Sequence, residues 1–313
     1  MAKHLTNRAA GVALLVAGAL AVAACDSSPD GGSAETPPPL GPVTTITDPG
    51  QITMPTDAYI PTVAQVRQVQ RAQDAVTADC MREFGFTARP TEILGLDDAP
   101  RQRLTHSAVY GYFDADGMQS NGYNNGRAGT PPPAATGAAP PPSADEQTAL
   151  TGDDPRTRQK VDQLNGKPVP PGGCAQKGRD TVGPLPMFSD AALPEGGPKI
   201  PANDPRVAEA YGKWSACMKE KGFDYKDPVA ANIDAKWREP SERPPSANQI
   251  ATATADVACK IANNTVGVIV AVQQTYANRY IEANAAKLAE YRQKTDDQLK
   301  KAAQLVASSG QAG

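Results

Sequence analysis

Few residues in this sequence have the type and spacing to do chemistry, and the cysteines dominate them. Cys25 closes the string Val22-Ala23-Ala24-Cys25, after a positive start (Lys3, Arg8) and an uncharged run from Ala9 to Ala24. Small residues before a cysteine at the end of a short apolar run resemble a lipobox, in which the cysteine thiol takes up diacylglycerol as a thioether, with palmitate-type chains, and becomes the first residue after cleavage. The run of sixteen residues suits a signal h-region better than a membrane span, which needs about twenty. An ordinary secretory signal or an uncleaved anchor would also export the chain. Two or more acyl chains anchor stably where one is marginal. The expected location is therefore the extracytoplasmic face of the cell membrane, with that membrane as a partner through Cys25.

The other four cysteines are Cys80, Cys174, Cys217 and Cys259. An even number in an exported, oxidising setting points to disulfides. Cys80-Met81-Arg82-Glu83-Phe84-Gly85-Phe86 returns as Cys217-Met218-Lys219-Glu220-Lys221-Gly222-Phe223, and each copy is followed at a distance by one more cysteine. Four cysteines allow three pairings; the duplication favours Cys80 with Cys174 and Cys217 with Cys259. Loops of that size stabilise by about 4 to 5 kcal/mol each in the chain-entropy account. The Gly-Phe ending reads as a helix stop, with glycine left-handed just past the helix and the aromatic folding back. Neither copy has the C-x-x-C spacing of a reactive thiol pair.

Other chemistry is sparse. Past the signal the sole histidine is His106, too little for a His-based zinc site or H-E-x-x-H. A single histidine can serve a nucleophile, but no G-x-S-x-G, Walker A or G-x-G-x-x-G string accompanies it. The acid pairs Asp97-Asp98, Asp153-Asp154 and Asp296-Asp297 lie in polar stretches and read as solvated rather than as glycosidase carboxylates. Asp114-Ala115-Asp116-Gly117 opens like a calcium loop but lacks the later ligands. No enzyme, metal or cofactor is expected. The candidate recognition surface is Tyr110, Tyr112, Phe113 and Tyr123, set among glycines, since exposed tyrosine binds at low entropy cost. The plainer alternative is that these rings cover a small core.

Removing the signal leaves 29 basic and 34 acidic residues, a net charge of about −5, which argues against a nucleic-acid partner. Thirty prolines and an aromatic content of 5% indicate much irregular chain. The expected fold is all-α: two disulfide-stapled helical units, the second with a long C-terminal helix, joined by extensive disordered linkers. After the signal at 1–24, residues 25–61 read as a disordered tether and 62–183 as unit one with a low-complexity insert at 128–143. Residues 184–203 read as a linker and 204–313 as unit two. Helix starts are marked at Thr62, Ser143, Asp204-Pro205 and Ser246. From Ser246 to about Ser308 there is no proline and one glycine, Gly267, so one long helix or two nearly collinear ones are expected. Its end, about 284–306, reads as a projecting arm for a partner helix or as a solvated, fraying helix.

The lipobox, the repeated Cys-Met-[Lys/Arg]-Glu-x-Gly-Phe and Ala255-Asp256-Val257-Ala258-Cys259-Lys260 before the last helical stretch resemble a group of actinobacterial extracytoplasmic lipoproteins. The matching parts cover about half of the chain after the signal. The resemblance carries no established activity and assigns no site residue. It implies an accessory part of the cell envelope, beside a transporter or a sensor protein. The expected function is a membrane-anchored, non-catalytic binding or regulatory component. The alternatives are a transporter's solute-binding lipoprotein and a hydrolase acting on the cell wall.

Overall fold

In the repeated motif the cysteine, methionine, glycine and phenylalanine each have a structural task. Helix α1 (Val63–Glu83) ends with Gly85 at φ +86°, and α5 (Pro205–Glu220) ends with Gly222 at φ +87°. In each copy the glycine N–H bonds back three residues, to Arg82 or Lys219. The phenylalanine N–H bonds back five, to the carbonyl of Met81 or Met218. This double closure satisfies carbonyls that a helix end leaves open. Met81 and Met218 are 1% and 0% exposed, and the cysteine just before each methionine enters a disulfide.

The computed structural model describes residues 36–88, 108–123, 141–187, 189–201, 203–237 and 244–309. Cys25, His106 and most of the insert at 128–143 lie outside these. The chain divides after Pro37, and from Pro38 onward the described residues belong to one compact unit. They are mainly helical, with one two-residue hairpin, β1 (Gln163–Leu164) against β2 (Lys167–Pro168). The remaining helices are α2 (Ala115–Asn121), α3 (Ala144–Thr151), α4 (Gly173–Val182), α6 (Pro228–Asn232), α7 (Ala247–Ala262), α8 (Thr265–Ala283) and α9 (Ala285–Ser309). Thr62 and Ser143 close reciprocal capping boxes, and Asp204 and Ser246 cap through their side chains.

Cys80 bonds Cys174, stapling α1 to α4, and Cys217 bonds Cys259, stapling α5 to α7. The two stapled pairs are not separate domains, and three expected boundaries are corrected. First, the tether expected up to residue 61 is a packed strap from Pro38 onward, with Ile46, Ile52, Met54 and Ile60 buried. Second, residues 108–123, expected in unit one, pack against α5 and α7 of unit two. Third, the linker expected at 184–203 buries Leu193 with Tyr280 and Leu288.

The stretch after Ser246 is three helices, not one long helix or two nearly collinear ones. Asn264 adopts a left-handed conformation (φ +47°) between α7 and α8, which bend by 64°; asparagine tolerates this geometry better than most residues. A second break falls at Asn284. Helix α9 is neither a projecting arm nor a solvated tail: Ala302 is buried with Val69, Ala72 and Val182, so α9 lies along α1 and α4. Among the described residues no single helix is long and apolar enough to cross a membrane.

Candidate functional site

Asp256 and Lys260 occupy the buried face of α7, in the stripe that also holds Gln249 and Ala253. Both side chains are fully buried, with Lys260 Nζ 2.9 Å from Asp256 Oδ2. Three aromatic residues complete the shell. Trp214 Nε1 donates to Asp256 Oδ1 at 2.9 Å, and the Tyr123 hydroxyl donates to Oδ2 at 3.2 Å. Lys260 Nζ donates to the Tyr112 carbonyl at 2.6 Å. Burial pushes the Asp256 carboxyl up and the Lys260 ammonium down, while their mutual attraction and the surrounding donors oppose it.

The disulfide sets this register. Cys217 and Cys259 are 42 residues apart, as are Trp214 and Asp256, each three residues before its cysteine. One helical turn therefore carries the covalent link and the indole bond side by side. The first copy has Thr77 where the second has Trp214, and its hydroxyl turns back to the Gln73 carbonyl. The charged centre is thus a feature of the second staple.

The aromatic segment is not the exposed recognition surface expected of it. Tyr110, Phe113 and Tyr123 are 1%, 2% and 7% exposed and pack with Trp214, Met218 and Trp237, while Tyr112 is half-buried. Tyr123 stacks on Trp237 with ring centres 5.9 Å apart. The rings do cover a core, but it is the core around the second disulfide.

A second polar node joins the strap to α5 and α8. Arg206 grips Asp204 through Nε and Nη2 at 2.9 and 2.6 Å, Tyr276 adds its hydroxyl at 3.0 Å, and Arg206 Nη1 reaches the Pro38 carbonyl at 2.7 Å. The bonded Arg206 guanidinium holds Asp204 down at about 2.

On the outer side of α5 lies an open cleft of about 820 Å³, floored by Ala208, Gly212, Ser215 and Ala216. Tyr211 and Tyr225 wall it, and Lys219, Asp224, Lys226 and Asp227 form its polar rim. Tyr211 donates its hydroxyl to the Val109 carbonyl, and burial raises that phenol to about 12. The described residues hold no cluster of three or more metal-ligating side chains.

Sequence reasoning passed over Asp256, Lys260 and Trp214 as a site. The available signal was an acid and a base four apart on the stripe that also carries Ala253, with Trp and Asp each one turn before a paired cysteine. Comparison of the chain with protein-family models, curated proteins and solved structures finds no match.

Proposed function

We propose that this chain is a lipid-anchored, non-catalytic accessory component on the outer face of the cell membrane, serving an envelope transporter or sensor. The observation that carries this reading is the cysteine inventory. Of five cysteines, four are consumed in two disulfides, which suits an oxidising compartment. The fifth stands at the end of the lipobox. A solute-binding role and a cell-wall hydrolase remain the competing proposals.

The α5 cleft offers concave surface to a partner, with tyrosine walls and a charged rim of the kind found at interfaces. Gly212 has open space where a side chain would project, so a photo-crosslinking amino acid fits there. Crosslinking in intact cells from position 212 should yield one adduct with an envelope protein, absent when the probe sits at Glu290 on the exposed side of α9. Identical adducts from both positions, or none from 212, would overturn the cleft as the contact surface.

A further inference from the structure

We propose that Asp256 and Lys260 condense in the folded protein, joining Asp256 Cγ to Lys260 Nζ as an intramolecular amide between consecutive turns of α7. The reacting groups stand four residues apart on one helix face, with the amine 2.9 Å from the carboxyl and both excluded from water. Around them is an arrangement suited to acyl transfer. Trp214 Nε1 donates to Oδ1, the oxygen on which negative charge would collect in a tetrahedral intermediate. The Tyr123 hydroxyl faces Oδ2, the oxygen that would leave. The Tyr112 carbonyl fixes the amine from the other side.

The reaction needs the neutral amine and the neutral acid, and burial favours both forms. The Lys260 lone pair attacks Cγ, the nitrogen–carbon bond forms, and the carbonyl electrons move onto Oδ1 under the indole N–H. An amine proton passes to Oδ2, to which Nζ already donates; the Oδ1 electrons re-form the carbonyl as the carbon–Oδ2 bond breaks, and water departs. One carboxylic acid and one amine become one amide and one water, without oxidant or cofactor. Oriented intramolecular reactions gain effective molarities on the order of 10⁵ to 10⁸ M, and the Cys217–Cys259 bond one turn away holds the register. The product removes two charges from a site where their desolvation is expensive, and its oxygen still accepts from Trp214.

The test is mass spectrometry of the full exported chain. The region around α7 should be lighter by one water, and after reduction trypsin should leave the bond following Lys260 uncut, because an acylated lysine is not a substrate. Full mass with cleavage after Lys260 would overturn the proposal. Lys260→Arg, which keeps the positive charge but lacks the amine, should regain the full mass. A deficit that persisted in this variant would place the lost water elsewhere and also overturn it.

Discussion

Gly222 has φ +87° and open space where its Cβ would be, so a side chain there meets backbone strain and no neighbour. Gly222→Ala should destabilise the protein by about 1 to 2 kcal/mol, and Gly222→Asn by less, read from urea midpoints. Asp204 makes a pH prediction. Its folded value near 2 lies below the ordinary carboxylate value of about 4, so its stabilisation is complete above pH 4 and lost as pH falls through 2. With its side chain fully buried, the contribution is about 2 kcal/mol. Asp204→Asn should lower stability at pH 7 by about that amount and flatten the acid limb of the stability profile; an unchanged limb would refute the assignment. Both residues were legible in the sequence, because a helix stop and a helix cap are local devices. Asp256 and Lys260 were not. Charge ordinarily predicts exposure, and what buries them are Trp214 and Tyr123, 42 and 133 residues from Asp256.

Among the elements, the strap shows where pattern reading ends. Ile46, Ile52, Met54 and Ile60 fit neither a helical nor a strand period among their prolines, and 3-10 turns at Pro49–Gln51 and Pro55–Tyr59 carry two of the bends. What fixes the strap is far away in sequence. Asn264 brackets it, accepting from the Ile46 N–H and donating to the Thr44 carbonyl, while Gln274 donates to the Thr53 carbonyl. Gly267 admits this approach, since a Cβ there would lie 2.1 Å from the Thr44 oxygen. Asn264 stands at the break between α7 and α8, and its side chain holds the strap instead of capping α8. Ile52 is fully buried, so Ile52→Ala should cost about 2 to 5 kcal/mol in thermal or denaturant unfolding. A solvated tether would lose almost nothing, and a change below about 0.5 kcal/mol would return residues 38–61 to that description.

For the whole molecule, the strap and the aromatic segment flank or fall within the first stapled pair in sequence yet pack on the core of the second, and α9 continues from α8 onto α1 and α4, which is why the described chain from Pro38 onward is one unit rather than two domains in series. The all-α class and both stapled pairs were readable from the duplication, whereas these contacts depend on long-range burial that leaves no periodic trace. The proposed function rests on Cys25, the one cysteine outside the two disulfides, as the site of lipid attachment. The most direct measurement is metabolic labelling with a clickable palmitate analogue, followed by membrane fractionation of wild type and Cys25→Ala. Wild type should be labelled and membrane-bound, and Cys25→Ala unlabelled and released, with both disulfides intact. A wild-type protein without label, or a Cys25→Ala variant that keeps it, would contradict the account.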